Sequence, residues 1–196
     1  MMLALLLAAQ LLPVDESARD PSFRRFKAGL QQIVAQRDFA ALRAAVSADI
    51  ALGPDWDRGV ESFARMWKIE DGEDHAMWVK LATILRLGAT REGRGFCAPY
   101  TVTRFPAEAR SATAATVVGR QIPVRSAPDG PVIARLTHQI VHVEQRGRLA
   151  WLPVTWEGGS GYVPAGVVFF AQDWSICFAA EAGRWTITRL APGGWD

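Results

Sequence analysis

Apolar residues fall at Phe23, Phe26, Leu30, Ile33 and Val34, the spacing of one helix face, and Pro21 with Ser22 supplies a helix start just ahead of them. Asp38 stands as an N-cap before FAALRAAV, a short second helix, and DIALG reads as a brief strand before a turn at Pro54. Gly59 opens VESFARMWK, with Val60, Phe63 and Trp67 on one face; after the acidic break EDGED, the segment HAMWVKLATILRLG sets Trp78, Leu81, Ile84 and Leu85 on another. The first ninety residues are therefore expected to be mainly helical. From Thr101 onward the pattern changes to β-branched alternation punctuated by Pro and Gly, which places a boundary between Phe105 and Ser111.

Beyond that boundary, TVVGRQIPVRSAPDGPVIARL and IVHVEQRGRLAWLPVTWEGGSGYVPAGVV divide into five short strands joined by turns. Val124, Arg125, Ser126 and Pro128 are followed in order by Val132, Ile133 and Leu136, by Val141 and Val143, by Trp151 and Val154, and by Gly161, Tyr162 and Val163. This order resembles the bacterial Src-homology-3 type domain, the SH3b family, over about residues 116–168. The sequence departs from the family where Ile122-Pro123 replaces the common Leu-Asn and where Thr137-His138 replaces the usual Gly turn. Pro123 brings no backbone donor and points to an edge or bulged position. The resemblance implies a small five-stranded β-barrel that recognises a ligand between its loops.

A unit of that size buries little surface and is marginal alone. The tail WSICFAAEAGRWTITRLAPGG alternates at Ile176 and Phe178, turns at Glu181 to Gly183 and returns through Trp185, Ile187 and Arg189, the pattern of a hairpin. It lies past the barrel's last expected strand, so it is expected to pack back on the N-terminal region. The resulting fold class is α+β: a helical N-terminal region with a C-terminal β-hairpin packing back on it, plus the SH3-like barrel. The expected divisions are a leader at 1–20, the helical region at 21–110, the barrel at 111–171 and the hairpin at 172–196. Helices followed by a terminal Gly-Arg-Trp-x-Ile strand also show a faint similarity to the cystatin-like α+β fold.

The N-terminal run MMLALLLAAQLLP has about ten apolar residues ahead of the polar DESARD, too short for a stable membrane span and of the length of a secretory h-region. Small residues at Ala8 and Ala9 suit cleavage before Gln10, while the basic n-region is missing. Export to the periplasm or medium is the expectation; an apolar first segment folded into the domain is the alternative. A net charge of +2, with basic residues spread along the chain, implies no nucleic-acid partner, and 49% hydrophobic with 21% charged residues is ordinary for a globular protein.

Candidate chemistry is sparse. Cys97 and Cys177 are the only cysteines and are the disulfide candidates of an exported chain; two buried thiols is the other reading. Cys97 precedes Ala98-Pro99, unlike the Asp-Cys-Ser-Gly-like context of cell-wall Cys/His peptidases. Asp71, Glu73, Asp74 and His75 read as a solvated turn that caps the following helix, and their spacing fits no metal loop. His138 and His142 are read on strands, too far apart for joint ligation, and GGSG at 158–161 is a hairpin loop without the Lys and Ser/Thr of a phosphate cradle. No catalytic residue, metal or cofactor is assigned. Among eight Trp, Trp156 is, with Tyr162, the candidate exposed aromatic pair, with packing at the core edge as the default for either.

The functional expectation is a non-catalytic interaction or scaffolding protein of the cell envelope. The resemblance implies that it binds cell-wall peptide or glycan, or an envelope protein, through Arg125, Trp156 and Tyr162, with no stable transmembrane segment after processing and an open oligomeric state. The competing classes are a hydrolytic enzyme with a pocket in the helical region and a structural lobe of a larger complex.

Overall fold

The computed structural model describes residues 9–53, 56–72, 75–145, 147 and 149–192. The expected turn at Pro54, the acidic Glu73 and Asp74, and the apolar run up to Ala8 lie outside the described residues. Contacts divide the chain into two compact units: Val14–Arg104 with residues 173–192, and Phe105–Gln172 with residues 9–13.

In the first unit, α1 (Pro21–Gln36) begins where Asp20 accepts from the N–H groups of Ser22 and Phe23, with Pro21 at the first helical position. It ends at Arg37 in the left-handed region, φ 53°. Asp38 then caps α2 (Phe39–Ala44) through the N–H of Ala41. This helix is shorter than its apolar run, because Val46 opens β1 (Val46–Ala51) alongside Ile187. After α3 (Val60–Asp71) and α4 (Ala76–Arg86) come β2 (Thr90–Glu92), β3 (Gly95–Ala98) and the one-turn α5 (Tyr100–Thr103).

The second unit contains β4 (Ala114–Val117), β5 (Ile122–Arg125), β6 (Val132–Leu136), β7 (Ile140–His142), β8 (Trp151–Trp156), β9 (Gly159–Pro164) and β10 (Val168–Phe170). They form one sheet in the order β10-β4-β7-β8-β9-β5-β6. Pro123 stands next to a register shift between Val124 and Arg125. Val117, Val124, Leu136, Val141, Leu152, Val154, Val163 and Val168 meet in a single buried cluster, so the sheet curls around its own core. Of the stretch expected to be a leader, residues 9–11 run along this unit: Leu11 N–H donates to the His138 carbonyl at 2.8 Å, and Ile140 N–H donates to that of Ala9 at 2.9 Å.

The chain then returns to the first unit as β11 (Trp174–Glu181) and β12 (Arg184–Pro192), joined at Ala182 and Gly183, both at positive φ. The five-stranded sheet has the order β1-β12-β11-β3-β2, with β1 parallel to β12 and the other pairs antiparallel. Phe23 of α1 stacks on Phe96 of β3, with ring centroids 4.1 Å apart, and meets Phe178 at 5.3 Å and Trp185 at 4.9 Å. Each such ring contributes about 2 kcal/mol by burial, which fastens α1 to the sheet.

The observed class corrects the expected one. The protein is mixed α/β and mostly β, with five short helices and twelve strands in two sheets among the described residues, in place of a helical half with an added hairpin and a closed five-stranded barrel. Closure fails because β7 gives its second side to β4, and β4 in turn pairs with β10. That leaves β10 and β6 as separate edges. The N-terminal half carries β1 and β3 between its helices because the long strands β12 and β11 supply their partners, and β2 pairs in turn with β3.

Candidate functional site

A groove of about 330 Å³ opens on the seven-stranded unit, lined by Ser126, Glu144, Gln145, Thr155, Ser160 and Tyr162. Its origin is a gap in the ladder. The strand β8 runs beside β9 for six residue pairs but meets β7 only at His142 and Thr155. Pro153, also in the lining, adds no N–H to the ladder. Past His142 the chain leaves the sheet, and Glu144 and Gln145 form the far wall. Hydroxyl, amide and carboxylate groups face a half-buried tyrosine, a lining able to exchange hydrogen bonds with amides or sugars while one ring supplies apolar contact.

The expected ligand residues separate on inspection. Tyr162 pairs with Pro153 on one side and with Arg125 on the other. Residues directly opposed across strands share a face, so these three form one row. Trp156 follows Leu152 and Val154 at intervals of two, which puts it on the opposite, core-facing row, where it packs against the buried cluster. A Cβ on Gly158 would approach Trp156 Nε1 to 2.7 Å, so the indole is covered by its own loop. Arg125 donates from Nη1 to the Gly130 carbonyl at 2.6 Å and lies 5.6 Å from the Trp151 ring centroid. It braces the Ser126 to Pro131 turn. Period-two counting within each strand puts Trp156 in the row of buried Val154 and Tyr162 out of the row of buried Val163, whereas Glu144 and Gln145 carry no such signal.

The remaining candidates are also placed. Cys97 of β3 and Cys177 of β11 stand directly opposed and are joined as a disulfide, so neither is a free thiolate. His138, at φ 48°, is buried, and its Nδ1 accepts from Gly119 N–H at 3.4 Å. Burial, helped by the charge of Arg120, holds its imidazole below the usual value. His142 is exposed, with Nδ1 3.3 Å from Thr113 Oγ1. Asp71 is buried rather than solvated: Oδ1 accepts from Met77 N–H at 3.0 Å, and Oδ2 lies 3.1 Å from His75 Nδ1. Among the described residues no group of three or more His, Cys, Asp or Glu side chains could hold a metal ion.

No family model matches this chain, and no curated protein or solved structure matches it significantly.

Proposed function

We propose that the protein is a non-catalytic binding module of the bacterial cell envelope, whose seven-stranded unit holds an extended cell-wall peptide or envelope-protein segment in the groove beside Tyr162. The observation that carries this reading is the break between β7 and β8, which sets hydrogen-bonding side chains on both walls of a cleft around one aromatic ring. Side-chain hydrogen-bonding groups beside an apolar contact suit the backbone amides of an extended peptide. The run from Val124 to Val163 that resembles SH3b domains supports a binding role, and the groove does not require a closed barrel. The cysteines supply no nucleophile, since their sulfurs are bonded to each other. Export belongs to the same reading, with cleavage expected after Ala9, which gives up the hydrogen bonds that Ala9 accepts from Ile140 and Gln139 and keeps Asp15 and its contacts.

Sedimentation with purified peptidoglycan, and capture from an envelope extract, test the reading. Tyr162→Ala should weaken association by about 1–3 kcal/mol, the scale of an interface anchor, while the melting temperature stays within a few degrees. Equal binding by wild type and Tyr162→Ala would refute the groove. A mature protein in the envelope fraction that retains its first nine residues would refute the expected cleavage.

A further inference from the structure

Helices of the five-stranded unit border a second, open cavity of about 430 Å³. We propose that it binds a small amphiphilic anion, a carboxylate carried on a single aromatic ring or short alkyl group. The walls come from Phe39, Trp67 and Trp78. The ring centroids of Trp67 and Trp78 are 4.7 Å apart at an interplanar angle of 70°, and Phe39 stands 6.0 Å from Trp67, so the three rings brace one another and present a fixed apolar surface. Ala64 is the reason that there is space. It shares a stripe of α3 with Lys68 and Asp71, at i, i+4 and i+7, and a larger side chain there would fill the cavity.

The polar groups around this apolar box select an anion. Arg37, held in the left-handed cap of α1, and Lys68 both line the cavity and are exposed, and neither forms an ion pair with a described residue. Among the described lining residues the one carboxylate, Asp71, is engaged on both oxygens, by the Met77 N–H and by His75 Nδ1. These contacts hold the carboxylate toward Met77 and His75, and with Nδ1–H donating to Asp71 the neutral His75 ring keeps Nε2 as an acceptor. Arg37 and Lys68, two cations without an ion pair among the described residues, complement beside the aromatic walls a carboxylate on a flat or short apolar body. The volume is at the low end of small-molecule sites, which suits a small ligand.

Titration of the full chain with 4-phenylbutyrate, followed by calorimetry and ligand-observed NMR, tests the site, with 4-phenylbutan-1-ol as the uncharged comparison. The carboxylate should bind with at least about tenfold preference over the alcohol. Exchanging both Arg37 and Lys68 for Gln should bring the two ligands to within about twofold of each other, since only the charge term is lost. Ala64→Leu should abolish binding of both. Exposed Arg37 and Lys68 can be replaced without unfolding, and the circular dichroism spectrum and melting curve of each variant confirm it. Tyr162→Ala should leave the titration unchanged. Absence of 4-phenylbutyrate binding, equal affinity for the alcohol, or full binding by a folded Ala64→Leu protein would each overturn the proposal.

Discussion

Lys27 Nζ donates a 2.8 Å hydrogen bond to Asp15 Oδ2 while only 6% of Lys27 is exposed. The other carboxylate oxygen accepts from Ser17 N–H at 3.0 Å, from Ser17 Oγ at 2.6 Å and from Ala89 N–H at 3.3 Å. Removing the acid leaves a buried ammonium without its counter-charge, so Asp15→Asn should destabilise the first unit by about 2–4 kcal/mol, less than a fully buried pair because Asp15 is half exposed. Chemical denaturation of the variant checks the size. Burial pulls the Asp15 carboxyl upward, but the hydrogen bonds from Lys27 and Ser17 and the charge of Lys27 outweigh it and hold it below the ordinary 3.8. The native state thus releases this proton more readily than the unfolded chain, and the stabilisation is complete above pH 3.8 and lost as pH falls through the lowered native value. Asp15→Asn should flatten that acid limb.

The bond between Cys97 and Cys177 spans a sequence separation of 80 residues. Closing such a loop removes unfolded-state entropy worth about 4–5 kcal/mol. The double Cys97→Ala, Cys177→Ala variant should lose stability up to that amount in equilibrium unfolding, and thiol titration of denatured, unreduced protein should find no free sulfhydryl. Two titratable thiols would contradict the bond.

Acid should also weaken the seven-stranded unit through His138. Its imidazole is held below the ordinary 6.5 by burial and the Arg120 charge, so the unfolded chain takes up this proton first. Stability should therefore fall as pH drops through 6.5 and level off below the native value. His138→Asn tolerates the positive φ of this position and carries no titrating ring, so its unfolding midpoint should be flatter across the same range.

At the β11–β12 turn, Ala182 adopts φ 47° ahead of Gly183 at φ 79°. Left-handed backbone disfavours alanine and suits asparagine, so Ala182→Asn should stabilise the hairpin by about 0.5–1 kcal/mol. A rise in melting temperature without a change in circular dichroism is the expected readout.

Helices α1, α3 and α4 were legible because Phe23, Val60 and Trp78 each head an apolar stripe of helical period, and Pro21 and Asp38 mark the starts of α1 and α2. The strands β2 and β3 were not, since TRE and GFCA have neither length nor alternation. They become strands only where Phe178 and Ile176 of β11 lie beside Phe96 and Ala98. Val46 reads as the end of a helix until Ile187, far along the chain, pairs with it. Closure of the second sheet likewise depends on which strand claims β7, a choice that no local pattern encodes. In the groove, the row of Tyr162 was readable by parity, whereas Glu144 and Gln145 matter because a neighbouring strand stops. In the helical cavity, the Ala64, Lys68, Asp71 stripe was readable, but Arg37 and Phe39 join it only by tertiary packing.

The central strands of the five-stranded sheet, β11 and β12, are also its last in the chain. Synthesis at about 5–20 residues per second completes domains from the N-terminal side first, but here that order is inverted. The seven-stranded unit has all its strands once Phe170 emerges, whereas β1 and β3 still lack the neighbours that belong between them. A nascent chain halted before Trp174 would pair one finished unit with one whose Phe23 and Phe96 have lost the cover of Phe178 and Trp185. Such a product would be a ready substrate for chaperones and proteases, so folding of the first unit waits on residues 174–192.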